Sequence, residues 1–351
     1  MRERHLIMVA VALIAAACAD AGPVEPEIGV DAQAYLTEAL DVMEYNSVRR
    51  LQIDWPEFRQ AAFRDAEVAE ARTPADVHPV IEQALVRLGD GHSFFRPADG
   101  QEVYPSSSIV FGGPPLPTSP LQAAAPAPLG EAGPVRRLDA GVSYLRIDAF
   151  AGGGEEGDAL VDTYHAAMRA VGPGGTCGWI VDVRGNGGGN MWPMLAAVGP
   201  LLGSRHVGYF LYPDGMLAPW IYEAGGAGLD EGAIAAASEP WTIAGRPPVA
   251  LLTDAETASA GEAVVVAFRG HERSRSFGEA TWGVSTGNAA FPLSDGSVIF
   301  LTVATMVDRD GNVYGGPLTP DVLVSGETTG DPMTDPVLAA ALAWIDGQPC
   351  S

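Results

Sequence analysis

The stretch Val249-Ala250-Leu251-Leu252-Thr253-Asp254-Ala255-Glu256-Thr257-Ala258-Ser259-Ala260-Gly261-Glu262 decides the fold. Pro248–Thr253 is an apolar run of strand length, the polar residues after it make a turn, and Ser259–Arg269 reads as a helix. A buried strand passing through a short turn into a helix is the repeating unit of an α/β core. Ser259 stands where the turn becomes the helix. There it can simply cap the helix, a common job for serine. It can also serve as a nucleophile, with small neighbours admitting a carbonyl and first-turn N–H groups available to an oxyanion. Thr257 occupies the place where the Gly-x-Ser-x-Gly elbow of α/β-hydrolases needs its first glycine, which argues against that fold.

The same texture extends on both sides. Gly141–Ile147, Gly178–Val183, His206–Tyr212 and Val298–Val307 are further strand candidates, and Asp158–Ala170 and Trp192–Leu202 are helix candidates. The expected fold class is therefore α/β, a layered sheet-and-helix core over residues 139–351. Residues 99–138 hold seven prolines between Pro114 and Pro134 and read as a loop or linker. Before it, residues 31–98 carry helical patterning and form a small N-terminal helical bundle of three helices. Asp54 and Glu57 make a capping-box pair for the second. Pro79 places the start of the third at Asp76, since proline is tolerated in a first turn, and Gly89 ends it.

Residues 1–18 have the form of an export signal: Arg2 and Arg4, an apolar run from Leu6 to Ala17, and small residues before Cys18. The run is too short to span a bilayer. Ala15-Ala16-Ala17-Cys18 resembles a bacterial lipoprotein cleavage box, which implies a lipidated Cys18, a tether over residues 19–30, and a membrane-anchored protein facing the periplasm or cell exterior. A plain secretory signal is the alternative. Cys177 and Cys350 match no zinc or redox spacing. Their pairing and their remaining free and buried both stay open.

The formal charge is −24, from 44 acidic and 20 basic residues. This speaks against nucleic-acid binding, which needs a positive surface. All the basic residues are arginines, and the absence of lysine excludes Schiff-base chemistry, phosphate-loop binding and a Ser–Lys pair. No cofactor and no metal are expected. A serine nucleophile must then draw its base from histidine. His78 and His165 lie in helical stretches and His271 in a charged turn. His92 instead sits in the tight turn Asp90-Gly91-His92-Ser93-Phe94-Phe95, where function tends to reside. A second glycine-rich loop, Asp182-Val183-Arg184-Gly185-Asn186-Gly187-Gly188-Gly189-Asn190, follows a buried strand. It fits neither the dinucleotide fingerprint nor a phosphate loop, which leaves an oxyanion or peptide-backbone site or plain turn chemistry.

Taken in order, Gly91-His92-Ser93, Gly141 to Ile147, Asp182 to Gly189, Thr257 to Glu262 and Thr319-Pro320-Asp321-Val322 resemble the motifs of the C-terminal-processing peptidases, the tricorn core and the nisin-resistance proteins. The resemblance implies a ClpP/crotonase-like core. Tail-specific members place a lysine at the position of Val284, after Thr281-Trp282-Gly283, so the chain resembles the His-based branch. The short interval between His92 and Gly141 leaves no room for a PDZ domain.

The resemblance implies a serine endopeptidase cutting near peptide or protein C-termini, with Ser259 as nucleophile and His92 as base. The oxyanion hole is expected from Ala260 and the Gly187–Gly188 loop, with a peptide or protein as substrate. Glu262 is the first candidate to orient His92 and Glu279 the second; either could instead be a structural carboxylate. The alternatives are a non-catalytic hydrophobic-ligand or peptide-binding protein on the same fold, or an esterase or amidase.

Overall fold

The computed structural model of the chain describes residues 28–98, 133–138, 141–171, 176–203, 205–331 and 333–350. The export signal, Cys18 and most of the expected tether and linker lie outside the described residues.

Three helices lead: α1 (Val30–Asn46), α2 (Trp55–Val68) and α3 (Pro74–Leu88). Asp54 caps α2 through its Oδ1, which accepts the Glu57 N–H at 3.2 Å. Helix α3 starts before the expected Asp76, because Thr73 and Asp76 close a capping box in which Asp76 Oδ2 accepts the Thr73 N–H at 2.8 Å. Pro79 therefore lies inside the helix, where the packing of Val77, Val80, Ile81, Ala84 and Leu85 outweighs one missing N–H bond. Gly89 ends α3 in the left-handed region, as expected.

The bundle is fastened to the core. Strand β1 (Phe94–Arg96) pairs antiparallel with β12 (Val298–Val307), setting Phe94 opposite Phe300. Leu36, Leu40 and Ile81 share one buried cluster with Ile299 and Leu301 of β12. The boundary expected near residue 98 is thus bridged by sheet pairing. Strand β2 (Val135–Arg137) falls in the expected linker yet pairs with β3 (Val142–Arg146).

The first sheet has six strands in the order β13-β10-β9-β4-β3-β2. Here β4 is Gly178–Asp182, β9 Val249–Thr253, β10 Ser274–Gly278 and β13 Val322–Leu323. Every residue of β4 and β9 is buried, as central parallel strands covered on both faces must be. Helix α7 (Pro336–Asp346) covers one face of this sheet. On the other lie α4 (Glu155–Val171), α5 (Met191–Val198) and α6 (Ala260–Phe268), in the largest cluster.

The second, antiparallel sheet runs β1-β12-β5-β6-β7-β8, with β11 (Thr286–Pro292) also on β12. Its remaining strands are β5 (His206–Leu211), β6 (Leu217–Glu223), β7 (Gly226–Leu229) and β8 (Gly232–Ala236). The α/β expectation holds, and a mixed two-sheet core with a small helical region realises it. Cys177, just before β4, is disulfide-bonded to Cys350 beyond α7, which settles their pairing.

Candidate active site

Ser259 lies at the end of the turn joining β9 to α6 and takes φ +50° and ψ −112°. Positive φ is costly for a residue with a Cβ, and such strain persists only where the surroundings impose it. They do so through close main-chain packing. The Ala258 N–H donates to Asn186 O at 2.8 Å, and a Cβ on Gly261 would come within 2.6 Å of that same oxygen. Gly188, at φ +111°, lies against the serine: a Cβ there would stand 2.8 Å from Ser259 Cβ and 3.3 Å from the Ala260 nitrogen. Ser259 itself is partly exposed between the buried Ala258 and Ala260.

The glycine loop is anchored by buried charge. Arg184 takes both oxygens of Asp182, at 2.6 Å for its shortest contact, and meets Asp335 at 3.0 Å, with all three side chains almost fully buried. The Tyr144 hydroxyl donates to Asp182 Oδ2 at 2.7 Å. Such a set is tolerated in the interior because the two carboxylates share the Arg184 cation and all three groups are hydrogen-bonded. Asp254 links this loop to the serine turn by accepting the Gly185 N–H at 3.0 Å and the Thr257 N–H at 2.9 Å. Asn186 donates to Ile147 O and accepts the Gly188 N–H at 2.9 Å. Of the expected oxyanion donors, Gly188 therefore directs its amide at Asn186. Ala260, at the first position of α6, has no helical carbonyl behind it to bind its N–H.

Glu262 is fully buried and both its oxygens are occupied. Oε2 accepts the N–H groups of Ser259 and Val284, each at 2.9 Å. Oε1 accepts the Thr281 hydroxyl at 2.6 Å and the Gly283 N–H at 3.0 Å. Burial pushes this carboxyl up to about 7, against the downward pull of its four donors. Glu262 thus clamps the serine turn to the segment 281–284. It does not orient His92, because the Ser259-x-x-Glu262 spacing closes a local capping box instead. Glu279 is also elsewhere, paired through its main chain with Thr253 and lining a small cavity with Arg184 and Glu256.

His92 is held in a turn built by Asp90, whose Oδ1 accepts the His92 and Ser93 N–H groups at 2.9 and 2.8 Å. Its ring Nδ1 meets Thr286 Oγ1 at 2.7 Å. Surrounding protein lowers the imidazole to about 4 by desolvating the cation, although part of the residue reaches solvent. Ser259 and His92 are connected through Glu262, Val284 and Thr286. The other described histidines have different settings. His78 pairs with Asp295 at 2.9 Å, His165 is buried with Nε2 on Ala196 O, His206 lies half-exposed, and His271 accepts the Arg273 N–H through Nδ1 at 3.3 Å. Thr286 had no sequence marker. Asp254 and Thr281 stood inside or beside quoted motifs, but their partners were invisible. Among the described residues no cluster of three or more His, Cys, Asp or Glu is arranged to hold a metal ion.

A layered α/β core presenting a partly exposed serine in a strained turn at a helix N-terminus has the form of a serine hydrolase. Residues 141–324 match Peptidase family S41; the chain belongs to that family and is a serine-type peptidase. It is 23% identical over 325 residues to a nisin-resistance protein of Lactococcus lactis subsp. lactis, covering 90% of this chain and 87% of the relative. Among solved structures, a lipoprotein from Streptococcus agalactiae superposes with a TM-score of 0.66 at 19% identity, over 92% of this chain and 98% of that one. The photosystem II D1 C-terminal processing protease superposes with a TM-score of 0.51 at 17% identity, over 84% and 93%.

Proposed function

We propose that the chain hydrolyses peptide bonds by a Ser259–His92 mechanism. The observation that carries this reading is the Ser259 backbone, strained at φ +50° with Gly188 packed directly against it. Ser259 Oγ attacks the scissile carbonyl carbon while His92 Nε2 takes the hydroxyl proton. The C–N bond then breaks, and His92 returns the proton to the departing amine. Water then attacks the resulting ester while giving a proton to His92, the acyl C–O bond breaks to release the new carboxyl terminus, and His92 returns the proton to Ser259 Oγ. The Ala260 N–H, with the Gly187 amide, receives the oxyanion, since the Gly188 N–H is held by Asn186. The Glu262 carboxylate fixes the serine turn through the Ser259 N–H.

The substrate is a peptide or protein cut near its C-terminus, a reading supported by the likeness to a C-terminal processing protease. The relative named for nisin resistance favours small peptides within that class. The export signal, together with a structural relative described as a lipoprotein, supports an exported protein anchored through lipidated Cys18.

Protein lacking residues 1–18 tests the reading against a mixed peptide library. Wild type should release C-terminal fragments that Ser259→Ala and His92→Ala do not. Cleavage retained by either folded variant would overturn the mechanism.

A further inference from the structure

The His92 ring makes its recorded hydrogen bond to a neutral hydroxyl. Both Glu262 oxygens are engaged by Ser259, Thr281, Gly283 and Val284. Asp90 faces the same turn, but its oxygens take the His92 and Ser93 N–H groups and the Ser93 and Thr302 hydroxyls. For Nε2 to accept a proton from Ser259, the neutral imidazole must carry its hydrogen on Nδ1, and that N–H needs an acceptor. Thr286 Oγ1, 2.7 Å away, can be that acceptor.

We infer that Thr286 is the positioning residue for His92, accepting its Nδ1–H and so holding Nε2 as the proton acceptor. The inference rests on the Ser259–His92 reading given above.

Three features make Thr286 suited to this task. Its side chain is buried and β-branched, which restricts χ1 and fixes the hydroxyl. Its main chain opens β11 opposite Thr305 of β12, with its N–H on Val284 O at 2.7 Å. It also lies two residues beyond Val284, which Glu262 ties to the Ser259 amide, so the acceptor and the serine turn share one support. Further along β11, Asn288 Nδ2 donates to His92 O at 2.8 Å. One strand thereby holds both the ring and the main chain of the histidine.

The test is the rate of covalent labelling by a fluorophosphonate probe, resolved into the maximal rate and the half-saturating concentration. Thr286→Val keeps the shape and removes the acceptor. The expected loss in maximal rate is roughly 100-fold, with the half-saturating concentration within about twofold of wild type and Thr286→Ser restoring most of the rate. If Thr286→Val does not fold, Thr286→Ala read against Thr286→Ser carries the same prediction. A wild-type rate in the folded variant lacking the hydroxyl would overturn the inference. So would an equal loss in the Ser and Val variants accompanied by equal loss of thermal stability. Undiminished labelling of Ser259→Ala or His92→Ala would instead overturn the underlying Ser–His reading.

Discussion

The Glu262 carboxylate accepts the main-chain N–H of Ser259 at 2.9 Å, from within the first turn of the helix that Ser259 begins. Because the same oxygen also accepts the Val284 N–H, the serine turn and the segment leading to Thr286 move as one unit. Glu262→Ala would strand three backbone N–H groups and one hydroxyl in a buried site. Each unmatched buried donor costs about 1–3 kcal/mol, and partial relaxation leaves an expected loss of about 3 kcal/mol, measured by urea denaturation. A loss below about 0.5 kcal/mol, the range of ordinary surface changes, would contradict the clamp.

Two buried groups should give opposite pH slopes. His92 is depressed from 6.5 to about 4 on folding, so its contribution is present above 6.5 and is lost as pH falls through 4. Glu262 is raised from 4.5 to about 7, so its contribution is present below 4.5 and is lost as pH rises through 7. The stability difference of wild type relative to His92→Ala should therefore become less favourable as pH drops from 6.5 to 4. The difference relative to Glu262→Gln should become less favourable as pH rises from 4.5 to 7. Denaturation curves collected across that range, if parallel for all three proteins, would rule out both shifts.

Gly188→Ala combines a strained φ of +111° with a Cβ only 2.8 Å from that of Ser259. The serine must shift or the loop must open, and a misplacement of this size costs roughly 100-fold in kcat/KM. Peptide-cleavage assays on folded protein provide the check, and near-wild-type kinetics would show that the loop does not hold the nucleophile in place.

Arg184→Met leaves the buried carboxylates of Asp182 and Asp335 without their shared cation. Breaking a buried ion set in this way costs about 3–5 kcal/mol. Thermal and chemical melts read the loss directly. An unchanged melt would mean that these charges are not held as the structure shows them.

The sequence made the central strands and the serine turn legible because β4, β9 and α6 are mainly apolar runs bounded by short polar or glycine-rich turns. It did not reveal β7 and β8: Gly226-Ala227-Gly228-Leu229 and Gly232-Ala233-Ile234-Ala235-Ala236 carry little strand propensity, and sheet pairing alone extends them. Helix α7 and strand β11 were missed as well. Pro79 was given too much weight against the Thr73–Asp76 capping box. In the site, Ser259 and His92 could be picked out from their own local surroundings. The acceptor for His92 could not, since Thr286 lies 194 residues away and a threonine at a strand start carries no local sign of its partner. Glu262 was read as the first candidate to orient His92, but its carboxylate accepts the Ser259 N–H three residues away instead.

The central claim is that Ser259 is the nucleophile, and the most direct measurement locates the covalent adduct. Protein lacking residues 1–18 is labelled with a fluorophosphonate, digested, and mapped by mass spectrometry. The account predicts one phosphonyl group, on Ser259, absent in Ser259→Ala and greatly slowed in His92→Ala. An adduct on another serine, or equal labelling of Ser259→Ala, would contradict it.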